Sequence, residues 1–366
     1  MHVKKRDWHS DASLDVVHFL KMAKRRRNGR GAPTISDVAE QSGVSRATVS
    51  RAFGRPELLL PETVRRVQAV ARALGYEPNR TARALSTGRH GNIGLIVPDI
   101  ANPFFPPLIR AAQAAADAAD YCLILGDSNE DPEREDLLAS KLAAQTEGLV
   151  LASTRLSVER LRAHAERRPL VLVNRDVAGI HRVLIDTATA TISAMEHLVE
   201  LGHTRITYVG GPATSWSSQQ RRRAVNRAAK RLRVEAIMIP SRGPTYAAGM
   251  ASTEMVLASG ATAAVTFDDL VAQGLLAGLA DRKVEVPSQF SVVGCDDVLA
   301  ATMHPSLTTL SNRSADAGRV AVDLLVSSFT TEQPAVIRHL LDSSLVVRNS
   351  TSLAPSRACG GGGPAA

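Results

Sequence analysis

Between residues 91 and 300, short β-rich apolar runs alternate with helix-length stretches. The runs fall at 93–97, 121–125, 148–151, 170–173, 206–209, 236–239, 263–267 and 291–293, and helix-like segments such as 106–119, 133–144, 190–201 and 270–280 lie between most of them. A strand that is apolar along its whole length must be covered on both faces. Such strands form parallel sheets with helices on either side. Eight of these units fit two doubly wound lobes better than one, and a closed (β/α) barrel is the competing arrangement.

The charge is distributed as unevenly as the texture. Residues 1–90 hold 18 Lys+Arg and 8 Asp+Glu, a net of +10, whereas residues 91–366 carry a net of −2. A basic module ahead of a near-neutral body points to a polyanion, either nucleic acid or an anionic membrane. With 44% apolar residues the body can build real cores. The cysteines, Cys122, Cys295 and Cys359, are too few and scattered for a disulfide framework or a zinc cluster. No apolar run approaches the roughly 18 residues of a membrane span. Lys4-Lys5-Arg6 precedes Asp7 with no apolar stretch behind it, unlike a secretory signal. A soluble cytoplasmic chain is therefore expected.

Residues 1–33 read as a basic arm, with 9 Lys+Arg against 3 acidic residues, and Met22 offers an alternative start. The arm is either a mobile tail or an amphipathic segment able to lie on a membrane. Residues 34–78 read as a small all-α domain. Ile35, Val38, Ala39, Val44, Val49 and Ala52 recur at helical spacing, Gly43 breaks the pattern, and Ser45 can cap the next helix. Pro61-Glu62-Thr63 opens a third helix and Gly75-Tyr76-Glu77-Pro78 ends it. The order is that of a helix-turn-helix, whose second helix exposes Arg46, Ala47, Ser50 and Arg51. Such a helix can enter the DNA major groove with its N-terminal residues at base edges.

Together these motifs resemble the lactose-repressor (LacI/GalR) family of bacterial transcription regulators. The resemblance rests on Val38-Ala39, Gly43-Val44-Ser45, Thr48-Val49-Ser50-Arg51 and Leu74-Gly75-Tyr76 with Pro78-Asn79-Arg80. It continues through Asn102-Pro103-Phe104-Phe105, Leu201-Gly202-His203, Gly294-Cys295-Asp296-Asp297 and Pro305-Ser306-Leu307-Thr308-Thr309. It covers residues 34–348 and implies a helix-turn-helix DNA-binding domain ahead of a two-lobed body like periplasmic sugar-binding proteins. It also implies roles. Arg46, Ala47 and Arg51 match the base-reading positions. Arg51 is the candidate for a bidentate guanine contact, whereas Ala47 could only touch a thymine methyl. Thr34, Ser36, Thr48 and Ser50 would bind phosphates and set the register. Residues 79–90 match the hinge helix and linker, which in the family folds on DNA beside its dimer mate. Leu85 falls on the leucine that wedges the minor groove; without the resemblance it would read as a buried interdomain residue. Residues 349–366 read as a disordered tail.

Ligands of doubly wound lobes bind outside the carboxyl ends of the strands. The candidates there are Asp99, Phe104-Phe105, Asn174-Arg175-Asp176, Asp268-Asp269 and Asp296-Asp297. The resemblance adds Arg221 and favours Asp268 and Asp296 as effector contacts. The expected effector set is Asp99, Phe105, Asn174, Arg221, Asp268 and Asp296. Phe104 reads as core, Asp269 and Asp297 as caps of following helices, and Trp216 as bordering the cleft or the other subunit. Two residues depart from the family pattern: Asp268 stands where Asn is usual and Ala224 where Gly is usual. A carboxylate accepts only, where an amide both donates and accepts. The effector is therefore expected to be richer in donor groups than a common sugar, or cationic.

No nucleophile elbow, metal triad or phosphate loop is present, and Gly360-Gly361-Gly362-Gly363 lacks the lysine and the strand-helix context of one. An enzyme, a cofactor and a metal are not expected. The expected partners are double-stranded operator DNA, a small polar effector and a second copy of the chain, with no membrane. The expected location is the cytoplasm, at the nucleoid.

Overall fold

In the computed structural model, which describes residues 32–77, 91–241, 243–330 and 335–355, the chain divides after Arg89 into two units. Helices α1 (Ile35–Ser42), α2 (Arg46–Gly54) and α3 (Pro61–Leu74) carry the first unit. Local chemistry sets their ends. The Asp37 carboxylate accepts from the Thr34 backbone N–H at 2.8 Å and from its hydroxyl at 2.9 Å, which occupies a donor at the start of α1. Gly43 closes α1 at φ 65°, and the Val44 N–H reaches back to the Ala39 carbonyl at 3.1 Å. This left-handed turn suits glycine. Ser45 then caps α2, its hydroxyl accepting from the Thr48 N–H at 3.1 Å. Val38, Ala39, Val49, Ala52, Val67 and Ala71 form the core of this unit, and none is more than 7% exposed.

The second unit runs β1 (Asn92–Val97), α4 (Phe105–Ala118), β2 (Cys122–Asp127), α5 (Pro132–Ala143), β3 (Leu149–Ala152), α6 (Val158–Arg167), β4 (Leu170–Val173), β5 (His181–Asp186), α7 (Thr187–Glu200), β6 (Arg205–Val209), α8 (Trp216–Leu232), β7 (Glu235–Ile239), α9 (Tyr246–Ala258), β8 (Ala263–Thr266), α10 (Asp269–Asp281), β9 (Ser291–Cys295), β10 (Thr308–Leu310), α11 (Ser314–Ser328), β11 (Arg338–Asp342) and β12 (Leu345–Val346). Two six-stranded sheets result, ordered β11-β5-β4-β3-β1-β2 in lobe 1 and β12-β10-β9-β8-β6-β7 in lobe 2. The pairings are parallel except for β12, which runs antiparallel to β10 at one edge. The two doubly wound lobes match the expectation, and the barrel alternative is excluded.

The chain crosses between the lobes after β5, after β10 and after β11. The return after β10 brings α11 onto lobe 1, where Ala317, Ala321, Val322 and Leu325 share a core with Leu108 and Ala112 of α4. Strands β5, β10, β11 and β12 lie outside the apolar runs of the sequence. Two of them are polar at both ends, as in Arg338-His339-Leu340-Leu341-Asp342, so a search for continuous apolar runs passes over them.

The boundary at 348 needs correction. Residues 349–355 are tied into lobe 2 rather than loose. The Ser350 hydroxyl, fully buried, donates to the Val292 carbonyl at 2.6 Å and accepts from the Thr308 N–H at 2.7 Å. The Ala354 N–H donates to the Leu201 carbonyl at 2.8 Å. Residues 356–366 and the arm at 1–31 lie outside the described residues, as does the hinge segment with Leu85.

Helices α9 and α10 approach closely because glycines face carbonyls across the contact. A Cβ on Gly274 would fall on the Tyr246 carbonyl oxygen, and one on Gly249 on the Val271 carbonyl oxygen. Gly274→Ala should therefore destabilise the body. Helix propensity favours Ala by about 1 kcal/mol, whereas overpacking costs about 1–3 kcal/mol. Calorimetry should show a lower Tm; an unchanged or higher one would mean that the helices separate at little cost.

Candidate DNA-reading helix and effector cleft

In the first unit, α2 turns Val49 and Ala52 into the core and leaves Arg46, Ala47, Ser50 and Arg51 exposed along one face. That face carries two guanidinium groups and a hydroxyl and lacks a carboxylate, which suits a surface meeting DNA. Ser36 is exposed as well, whereas Thr48 is half-buried and its hydroxyl lies 2.9 Å from that of Ser45. The Thr34 hydroxyl donates to Asp37, so a phosphate contact from Thr34 would have to exchange that partner.

In the second unit, β1 lies between β2 and β3, and β6 between β7 and β8, so each lobe has a strand where the winding reverses. Crevices open at such switch points. The two crevices form one cleft. Lobe 1 contributes Asn102, Phe104 and Phe105 after β1, Glu130 after β2, Ser153 and Arg155 after β3, and Asn174 after β4. Lobe 2 contributes Ser215, Ser217 and Arg221 at the start of α8, with Pro244, Phe267, Asp268 and Asp296 from its strand ends and loops.

Five of the six expected effector residues line this cleft: Phe105, Asn174, Arg221, Asp268 and Asp296. Asp99 does not. Its carboxylate accepts from the Ala101 N–H at 2.8 Å, closing a local turn that shapes the loop. The roles expected within the aspartate pairs also differ. Asp268, not Asp269, caps α10, its Oδ1 accepting from the Val271 N–H at 2.8 Å. Asp269 lies behind it and accepts from Thr309 Oγ1 at 2.8 Å and the Val298 N–H at 3.1 Å. Asp297 pairs with Arg348 at 2.7 Å instead of capping a helix. Phe104 is buried in the lobe 1 core and also lines the cleft. Trp216 is half-buried and its neighbours Ser215 and Ser217 take the lining positions.

The sequence reading passed over Asn102, which joins the lobes. Its Nδ2 donates to Asp268 Oδ2 at 3.2 Å, while its Oδ1 accepts from the Phe104 N–H at 3.0 Å. Its place in the Asn102-Pro103-Phe104-Phe105 motif after a strand was the available signal. Also passed over was the pair in which Arg155 Nε and Nη2 donate to the Glu130 carboxylate at 2.6 and 2.9 Å. Two loops bring these together, and residue type alone does not flag them.

Electrostatics sets the character of the lobe 2 wall. Arg221 is 4% exposed, its Nε donates to Thr187 Oγ1 at 3.2 Å, and its Nη1 donates to the Phe267 carbonyl. Its guanidinium carbon sits 4.9 Å from the centre of the Phe267 ring, and Nη2 is 3.6 Å from Asp296. Burial opposes the charge on Arg221, and the surrounding acidic groups more than restore it. One guanidinium does not offset three buried carboxyls. Burial pushes Asp296 well above the ordinary carboxylate range and raises Asp268, while Asp269 is pushed up to about 7. Burial likewise keeps the Cys295 thiol protonated, close to Asp296 at 3.4 Å.

The model of the lacI family of bacterial regulatory proteins matches residues 34–79, and that of the periplasmic binding protein-like domain matches residues 195–351. The HTH-type transcriptional repressor CytR of Escherichia coli (strain K12) is 30% identical over 336 residues, covering 88% of this chain and 98% of that protein. The chain belongs to the lacI family of bacterial regulatory proteins. Its fold is similar to that of the lac repressor dimer bound to operator and the anti-inducer ONPF, with a TM-score of 0.79 at 26% identity over 88% of this chain and 100% of that one. It is also similar to the complex of the transcriptional regulator CelR with cellobiose, with a TM-score of 0.66 at 26% identity over 87% of this chain and 99% of that one. As a lacI-family member the chain is a DNA-binding transcription regulator and not an enzyme. Among the described residues no helix is long and apolar enough to cross a membrane, and no cluster of His, Cys, Asp and Glu could hold a metal ion.

The buried acids leave a pH signature. Asp269 titrates near 7 when folded and near 3.8 ordinarily. Between those values the folded state binds the extra proton, so this contribution to stability is present below about pH 4 and lost as pH rises through about 7. Asp269→Asn should flatten the fall in stability across that window by up to one proton, roughly 1.4 kcal/mol per pH unit. Denaturant melts of the full chain at stepped pH would read this directly, and an unchanged slope would contradict the assignment.

Proposed function

We propose that this chain is a repressor that reads a near-palindromic operator as a homodimer and is switched by a small polar effector held between its lobes. The observation that carries the reading is the presence in one lacI-family chain of two complementary sites: α2, with Arg46, Ala47, Ser50 and Arg51 exposed on one face, and an interlobe cleft lined by Phe105, Asn174, Arg221, Asp268 and Asp296. In this reading Arg51 contacts guanine, Arg46 and Ala47 adjust base choice, and Thr34, Ser36, Thr48 and Ser50 grip phosphates. Leu85 wedges the minor groove from the hinge, a role that rests on the resemblance alone. The basic arm adds nonspecific, salt-sensitive affinity. The protein acts in the cytoplasm, at the nucleoid.

A second copy is supported by apolar surface left in contact with solvent. Tyr246 and Met255 on α9 are 41% and 48% exposed, and the edge strand β2 presents Leu125. A dimer with two α2 helices would match a two-fold operator. Effector binding would change lobe closure, and the lobes would decide whether the paired hinges can fold on DNA. An inducer would favour the state with separated hinges, and a corepressor the opposite.

Operator half-sites selected by the full chain from random DNA provide the test. Arg51→Ala should lower discrimination at one guanine by about 1–3 kcal/mol, roughly fivefold to 150-fold, and leave the oligomer intact. Unchanged specificity would remove the base-reading role. Arg221→Ala should abolish the effector response while operator binding persists below a reduced Tm, because Arg221 also holds Thr187 and Phe267. A normal response would move the effector site elsewhere.

A further inference from the structure

The charge of the cleft restricts what it can hold. Asp268, Asp269 and Asp296 are 2%, 3% and 7% exposed, and the cation beside them is Arg221. Arg221 directs Nε and Nη1 to Thr187 and Phe267. On the opposite wall Arg155 is committed to Glu130 through two donors. Both cations lining the cleft thus already face carboxylates, and acceptors are in excess. Asp268 Oδ1 accepts from the Val271 N–H and Oδ2 from the Asn102 amide at 3.2 Å, and the carboxyl group lines the cleft, where a donor on a ligand can reach it.

Three phenylalanines share the lining with serines, Asn174 and Pro244. The Phe104 and Phe105 rings meet edge to face, 5.0 Å apart at 79°, and Phe267, whose ring lies under Arg221, belongs to the lining as well. Phenyl rings beside carboxyl groups that outnumber the cations hold positively charged nitrogen through cation–π and charge-assisted contacts. An anionic group would instead bring a further buried charge to a cleft where both arginines already face carboxyl groups.

We propose that the effector is a small organic cation, a polar metabolite whose protonated amine is held by Asp268 and Asp296 while its carbon frame rests on the phenylalanine rings. Neutral sugars fit less well, and phosphorylated or carboxylated metabolites are rejected. The proposal rests on the effector reading of the cleft given above. Burial opposes the charge on Asp296, and a cation held beside it would favour the ionised form.

The test is a thermal-shift screen followed by calorimetry on the full chain, with probes matched in shape and differing in charge. Hexosamines, amino alcohols and diamines are each set beside the N-acetyl or hydroxyl counterpart and a phosphate-bearing counterpart. An amine should give the largest shift and bind roughly tenfold or more tighter than its neutral counterpart. Asp268→Asn should erase that preference, read as the ratio of amine to neutral-counterpart affinity within the one variant, whatever the change in the absolute affinities. Asp296→Asn should do the same and serves if the first variant fails to fold. A neutral or anionic probe that binds most tightly, amine affinity that survives both substitutions, or a series in which no amine binds would each overturn the proposal. A neutral sugar that binds and releases selected operator would overturn only the cation, leaving the effector reading intact. Release of operator by a ligand insensitive to Asp268, Asp296 and Arg221 would overturn both.

Discussion

The body depends on a guanidinium buried at the meeting point of its strand ends. Arg221 enters lobe 2 from the first turns of α8, ties Thr187 at the start of α7 to the carbonyl of Phe267 after β8, and faces Asp296 after β9. The start of α7 and the segments that follow β8 and β9 are thereby held by one side chain. Removing either partner of a buried charged set leaves the other uncompensated, which is why such sites are sensitive to single changes. Burial raises the surrounding acids, and they raise one another further. Asn102 then links this wall to lobe 1 through Asp268, so that one carboxylate caps a helix, faces the cleft and bridges the lobes.

The DNA-reading unit follows different physics. Its core is six small side chains, and its helices are short, so caps carry much of the specification of their ends: Asp37 at the start of α1, Gly43 at its close and Ser45 at the start of α2. Turning Val49 and Ala52 inward necessarily turns Arg46, Ala47, Ser50 and Arg51 outward. Stability and information therefore occupy opposite faces of one nine-residue helix.

Local features were legible from the sequence because their causes are local. Gly43 and Ser45 announced the turn, and apolar runs announced the buried strands. Strand-end reasoning together with family resemblance found Phe105, Asn174, Arg221, Asp268 and Asp296. What escaped depends on pairings distant along the chain. Asn102 and Asp268 are 166 residues apart and Glu130 and Arg155 meet across two loops. Asp99 satisfied the strand-end rule but spends its carboxylate on its own turn. Asp268 took the helix cap expected of Asp269 in addition to its place in the cleft, because the first residue of the pair, not the second, precedes the helix. Ser350 looked like the start of a polar tail, yet its hydroxyl satisfies backbone groups of two strands. Polar side chains buried by partners brought from elsewhere are the features a residue pattern conceals.

The two units make a regulator only if occupancy of the cleft and grip on DNA are energetically linked, and such linkage must be reciprocal. The direct measurement is the affinity of the full chain for the metabolite that stabilises it most, taken by calorimetry with and without the selected operator. The operator should change that affinity by the same factor by which the metabolite changes operator affinity, typically about 5–150-fold. Equal metabolite affinity in the presence and absence of operator would contradict the coupling on which this reading of the protein stands.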